Sequence, residues 1–125
     1  MNNTWKTPDK LKDEITKEFG ITLDPCIYPI VEDGLAKCWK GETVFINPPY
    51  GRGHLAPWIL KAIREAEKHS VLSVMLLPVD TSTRWFHELL YNKYEIRFIK
   101  GRVKFKGPED SVHPAPFASM IVIIK

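Results

Sequence analysis

The run from Val71 to Leu77 is apolar at every position except Ser73 and stops at Pro78. A strand with no polar face must be covered on both faces, so this run commits the chain to a layered sheet rather than one with a wet side. Val44-Phe45-Ile46 is a shorter segment of the same kind, and it leads directly into Asn47-Pro48-Pro49-Tyr50. Proline removes a backbone donor and fixes φ near −65°, so two in succession end the strand. Asn47 precedes a proline and is driven towards extended backbone. The expected product is a stiff turn at the carboxyl end of a buried strand.

The remaining elements follow from periodicity. Thr7-Pro8-Asp9 reads as a helix start, with Thr7 as the cap and Pro8 in the first turn. Leu11, Ile15 and Phe19 then give one apolar face, and Gly20 ends the helix. Ile21 to Leu23 reads as a short strand ending at Asp24-Pro25. Residues 26–42 have no clean period and read mostly as loop. A helix is expected from about His54 to His69, with Leu55, Ile59, Ala62, Ile63 and Ala66 inward. A second is expected from Thr81 to Asn92, capped by Thr81 or Ser82, with Trp85, Phe86, Leu89 and Leu90 inward. Tyr94–Ile99, Arg102–Lys106 and Met120–Ile124 read as strands, and the four glycines and prolines between Lys106 and Pro116 predict a loop there.

Strands alternating with helices predict an α/β sheet with helices on both faces. In such sheets ligands gather beyond the carboxyl ends of the strands. Asp24-Pro25, Asn47 to Tyr50 and Pro78 to Asp80 all fall at such ends and are expected to share one rim.

At 125 residues, 44% hydrophobic and 26% charged, the chain predicts one soluble domain, residues 1–125, with a substantial core. No apolar run is long enough to span a bilayer, and the first residues lack a signal-peptide pattern. A cytoplasmic location and no membrane partner are expected. Cys26 and Cys38 form neither a CxxC pair nor a metal cluster, and they read as reduced, semi-buried thiols. His54, His69, His87 and His113 lack ligand spacing, so no metal is expected. A net charge of +3 permits nucleic-acid contact without demanding it.

The turn carries the most chemistry. A side-chain amide oxygen and a free backbone carbonyl beside an aromatic ring supply two acceptors for the hydrogens of an NH2 group and a surface for a flat substrate. The ordered set of Trp5-Lys6-Thr7-Pro8, Leu23-Asp24-Pro25, Phe45 to Tyr50, Leu76-Leu77-Pro78, Arg84-Trp85-Phe86, Gly101 to Phe105 and Pro116-Phe117 resembles the phage-type DNA N6-adenine methyltransferases. The resemblance covers nearly the whole chain. It implies a reduced Rossmann-like sheet with flanking helices, lacking some of the usual strand-helix units, and S-adenosylmethionine as methyl donor without a metal. It further implies that Asn47, Pro48, Pro49 and Tyr50 form the catalytic turn. Asn47 and the Pro48 carbonyl would accept from the amino group, and Tyr50 would stack on the base. Trp5, Thr7, Pro8, Asp24, Pro25 and Asn47 would meet the cofactor.

The chain departs from larger methyltransferases in reading Asp24-Pro25-Cys26-Ile27-Tyr28 without a glycine-rich loop. The acid that holds the ribose is therefore unassigned, with Glu32 and Asp33 as guesses. The cofactor pocket would be shallow or completed by a partner subunit. A base in a duplex must be flipped out to reach such a rim. Arg52, Arg84, Arg102 and Lys104, on a basic alternation running from Lys100 to Lys106, are the expected DNA contacts, with Phe105 or Phe117 stacking on the flipped base. No separate base-reading domain is evident, so sequence preference would be short, loose or set by a homodimer. The same acceptor pair would also serve RNA or a protein amide, and a catalytically silent nucleic-acid-binding protein could keep the turn.

Overall fold

The computed structural model describes residues 5–26, 33–50 and 53–125. The chain runs α1 (Asp9–Phe19), β1 (Thr43–Ile46), α2 (Leu55–His69), β2 (Leu72–Pro78), β3 (Glu95–Phe98), β4 (Lys104–Lys106), β5 (Val112–Pro114) and β6 (Ser119–Ile124). A π-helical turn spans Phe86–Leu90 and a 3-10 turn spans Pro108–Asp110.

The apolar runs lie where their composition requires. The sheet order is β1-β2-β6-β3, and the inner strands β2 and β6 are buried along nearly their whole length. β1 pairs with β2 in parallel, Thr43 opposite Leu72 through Ile46 opposite Met75. β6 is antiparallel to both β2 and β3. The expectation of an α/β sheet is met as a mixed α/β arrangement built on a small mixed sheet with few helices. Its parallel part consists of β1, β2 and one further residue, Leu23, which bridges to Val44.

That bridge is what remains of the strand expected at Ile21–Leu23. The Leu23 N–H donates to the Thr43 carbonyl at 3.1 Å and the Phe45 N–H to the Leu23 carbonyl at 2.9 Å. Pro25 has no N–H with which to carry the ladder on. Upstream, Gly20 adopts the left-handed conformation at φ 71° and closes α1 with its N–H on the Thr16 carbonyl. The start of α1 differs from expectation: Pro8, not Thr7, is the capping residue, and no side chain among the described residues caps this end.

Two further expectations are corrected. The helix predicted over Thr81–Asn92 is present but shorter, helical over 84–90 with its last five residues wound as the π-helical turn, and Asp80 and Thr83 order the residues before it. Asp80 Oδ1 accepts from the Ser82 hydroxyl at 2.9 Å, and Thr83 Oγ1 accepts from the Phe86 N–H at 3.3 Å. The cap is thus Thr83 rather than Thr81 or Ser82. The loop predicted between Lys106 and Pro116 contains β5, which pairs antiparallel with β4. Pro114 is tolerated in this two-stranded ribbon because it lies on β5, an edge strand. Lys6 joins the ribbon through reciprocal backbone bonds with Lys106 of 2.7 and 2.9 Å.

The stretch before β1 carries a core residue that its sequence did not advertise. Trp39 is fully buried, its ring near-parallel to that of Trp58, and its indole N–H donates to the Gly34 carbonyl at 3.1 Å. The Trp39 backbone N–H donates to Glu65 Oε1 on α2, also at 3.1 Å, which fastens this loop to the helix. Cys26 and Cys38 are both free; Cys26 is half-buried and Cys38 is exposed. Among the described residues, no helix is long and apolar enough to cross a membrane.

Candidate active site

Leu23, β1 and β2 run parallel, so the residues that follow them emerge at one end of the sheet. Asp24, Asn47 and Val79 therefore share a rim, as expected. The Asn-Pro-Pro-Tyr turn divides that rim into two clefts.

The first cleft is lined by Trp5, Lys6, Thr7, Asp9, Lys12, Asp24, Cys26 and Asn47 and has a volume of about 120 Å³. Asn47 Oδ1 is buried and has no hydrogen-bond partner among the described residues. A buried acceptor left without a donor costs about 1–3 kcal/mol, so its presence at a cleft marks a place where a donor belongs. Asp24 pairs with Lys12, and the Lys12 ammonium lies 5.1 Å from the centre of the Phe45 ring. Burial, and after it the Asp24 charge, push the Cys26 thiol well above its usual range, so it stays protonated. The Trp5 ring stacks on His113 at 4.6 Å and on Phe105 at 6.2 Å.

Two of the expected cofactor residues do not line this cleft. Pro8 is occupied as the cap of α1. Pro25 packs against Gly34 so closely that a Cβ on Gly34 would lie 2.6 Å from the Pro25 Cβ. Of the two guesses for a ribose-binding acid, Glu32 lies outside the described residues. Asp33 accepts from the Leu35 N–H at 3.0 Å and does not line the cleft. Lys12 was missed by sequence reasoning, since nothing local marks its pairing with a residue twelve positions away.

The second cleft is broad, about 1220 Å³, and lies on the Tyr50 side of the turn, where Pro78, Asp80, Arg84, Trp85 and Phe117 also contribute to its wall. Tyr50 is 8% exposed. Its ring packs against Phe117 at 5.3 Å and meets Phe105 edge-on at 6.1 Å. Burial raises the Tyr50 phenol well above its usual range, keeping it a neutral donor. Pro48 is buried and Pro49 is half-buried.

Among the expected DNA contacts, Arg84 is highly exposed at the second cleft, with its Nε 3.2 Å from Glu88. Arg102 and Lys104 are exposed. Phe117 is half-buried beside Tyr50. Phe105 is a correction: it is fully buried between Trp5 and Tyr50 and offers no face to a base. Strand alternation explains this, because Val103 and Phe105 turn inward where Arg102 and Lys104 turn outward. Lys106 is held by Asp9 at 3.1 Å. Arg52 lies outside the described residues.

Comparison with known proteins places this geometry in context. The family described as DNA N-6-adenine-methyltransferase (Dam) matches residues 1–125. A protein of Haemophilus phage HP1 (strain HP1c1) named DNA N-6-adenine-methyltransferase is 37% identical over 79 residues, 62% of this chain and 44% of that protein. One of the same name from Escherichia phage T1 is 39% identical over 71 residues, 55% of this chain and 29% of that protein. The matched region thus spans less than half the length of either relative. No solved structure matches.

Proposed function

Because this chain belongs to the DNA N-6-adenine-methyltransferase family, we propose that it transfers a methyl group from S-adenosylmethionine to the N6 of adenine in DNA. The observation that carries the reading is the buried Asn47 Oδ1, which has no partner among the described residues. It lines the smaller cleft, on the same turn whose Tyr50 lines the broad apolar one, so a cofactor and a base would meet across the turn.

When bound, S-adenosylmethionine supplies an electrophilic methyl carbon on a sulfonium. Trp5, Thr7, Asp24 and Asn47 are the residues that would hold it, and the fit rests on a carboxylate, an aromatic ring and an orphaned acceptor in one cleft. The cation suits the aromatic wall. Small-molecule sites usually measure about 300–1,000 Å³. A cleft of about 120 Å³ would therefore take only part of the cofactor, and a partner subunit would complete the pocket.

The work of the turn is positioning. An adenine amino group conjugates its lone pair with the ring and is a weak nucleophile. Donating its two hydrogens to Asn47 Oδ1 and the Pro48 carbonyl would localise that pair and aim it at the methyl carbon. With the amino group so held, its nitrogen would form the N–C bond while the donor's S–C bond broke to a neutral thioether, and the surplus proton on nitrogen would pass to solvent. No covalent enzyme intermediate is needed. The base would enter from the second cleft, bounded by Phe117 and the edge of Tyr50, with Arg84, Arg102, Lys104 and Arg52 on phosphates. The parallel trio of Leu23, β1 and β2 is read as the reduced Rossmann-like core, with action on DNA in the cytoplasm.

The test is incubation with plasmid DNA and tritiated S-adenosylmethionine, followed by nucleoside digestion. Label is expected in N6-methyladenine, and raising salt from about 50 to 200 mM should weaken DNA binding steeply. Label confined to RNA, to protein or to another base would overturn the reading.

A further inference from the structure

At the opposite end of the sheet, before β1 and β2 begin, three side chains of different chemistry converge. One ligand-capable atom each of Cys38, Glu65 and His69 lies within 4.8 Å of the other two. We propose that this cluster is a site for a borderline divalent cation of the zinc type, separate from the methyl-transfer rim.

The first support is the state of Glu65. It is 5% exposed, and Oε2 is buried without a hydrogen-bond partner among the described residues, while Oε1 is engaged by Lys61 at 2.9 Å and by the Trp39 N–H. One oxygen is thus fixed by the protein and the other is left over. The leftover oxygen lies 3.9 Å from His69 Nε2. Zinc bonds of about 2.0–2.3 Å at tetrahedral angles set ligands about 3.3–3.6 Å apart, so closing the cluster takes small side-chain movements.

The second support is preorganisation. Glu65 and His69 are one helical turn apart on α2 and so share a face. Cys38 is brought to that face by its neighbour Trp39, which is fully buried and bonded through its amide to the same Glu65. A thiolate, a carboxylate and an imidazole would neutralise a dication and leave one position for water.

The donor set also selects the ion. Sulfur and imidazole nitrogen favour Zn²⁺ or Co²⁺ over Mg²⁺ or Ca²⁺. Lys61, Arg64 and Lys68 line the same hollow alongside Glu67. Those cations disfavour an ion held only by the local field, so the site needs one that bonds to sulfur and nitrogen. A bound ion would clamp the loop before β1 onto α2.

The experiment titrates the full chain with Co²⁺ and then Zn²⁺, without DNA or S-adenosylmethionine, so its outcome is independent of the methyl-transfer reading. One Co²⁺ per chain is expected, with a thiolate-to-cobalt charge-transfer band that Zn²⁺ abolishes. Cys38→Ser should remove the band, and Cys38→Ser or His69→Gln should each weaken Zn²⁺ by at least about 100-fold, because even supporting residues around metals contribute 10–100-fold. Cys26→Ser should retain band and affinity. Zn²⁺ should raise the melting temperature of the parent and not of Cys38→Ser. Absence of both the band and saturable Zn²⁺ binding, or binding undiminished in Cys38→Ser and His69→Gln, would overturn the site.

Discussion

The Tyr50 hydroxyl donates a 2.8 Å hydrogen bond to the Leu76 carbonyl, tying the turn after β1 to the middle of β2. The pairing of β1 with β2 ends at Ile46 opposite Met75, one residue short of Leu76. A side chain from the turn thus supplies a donor just beyond the point where the strand stops. Tyr50→Phe removes that donor and leaves a buried carbonyl unsatisfied, a loss of about 1–3 kcal/mol that urea denaturation would read. With the tether gone, the rate of methyl transfer in single turnovers should fall by about 10–100-fold, since small misplacements of a positioned group are costly. Cofactor affinity should stay near that of the parent. An unchanged rate would mean that the tether does not set the geometry of the turn.

Asn47→Ala separates chemistry from stability. Because Oδ1 has no partner among the described residues, its removal breaks no hydrogen bond to them and relieves an unsatisfied acceptor. The variant should be as stable as the parent or slightly more so. Its methyl transfer should drop on the order of 100–1,000-fold, the usual effect of deleting one preorganised polar contact to a transition state. Undiminished transfer from labelled cofactor would remove Asn47 from the mechanism.

The parts of this fold that were legible in sequence share a physical reason. β1, β2 and β6 are buried and apolar, and proline sets the limits of β2 and of the turn after β1, so length and composition alone define them. The period of α2 was equally plain. What periodicity cannot carry is order: nothing in Met120 to Ile124 says that it inserts antiparallel between β2 and β3. β5 was hidden because two prolines within a short span imitate a loop. The alternation around Lys104 already implied that Phe105 faces inward, so its burial was readable once both parities were weighed. At the site, Asn47 and Tyr50 could be placed on one turn. Their separation into different clefts could not be foreseen, because it depends on Phe117, Trp5 and Lys12 arriving from distant segments.

Among the described residues, Asp24 and Asp9 are the carboxylates that line the first cleft. If Asp24 contacts the cofactor, Asp24→Asn should weaken S-adenosylmethionine by about 10–100-fold in calorimetry, the range for losing a charge-assisted hydrogen bond. Its ion pair with Lys12 is partly solvated, so the stability change should stay within about 1 kcal/mol. Equal affinity in both proteins would show that Asp24 serves Lys12 alone.

Gly34 is a space constraint rather than a conformational one. A Cβ there would lie 2.6 Å from the Pro25 Cβ, 2.8 Å from the Pro25 carbonyl oxygen and 2.9 Å from the Trp58 ring. The first two positions belong to a rigid ring and a backbone, so they yield only if the chain moves. Gly34→Ala should cost about 1–3 kcal/mol, the range for overpacking. Because Pro25 follows Asp24 directly, the displacement should also weaken cofactor binding. A stable variant with parental affinity would show that the loop shifts without moving Asp24.

The two thiols should differ sharply in reactivity. Cys38 is exposed, whereas Cys26 is half-buried in the first cleft and held protonated by burial and by the Asp24 charge. Only the thiolate alkylates readily, and each unit of upward shift removes a factor of ten from its population. With a chelator present to keep metal from Cys38, iodoacetamide should label Cys26 at least about 10-fold more slowly than Cys38, as read by mass spectrometry of tryptic peptides. Saturating S-adenosylmethionine should slow Cys26 further and leave Cys38 unchanged, because only Cys26 shares a cleft with Asn47 and Asp24. Cofactor that protected neither thiol would place its binding outside this cleft.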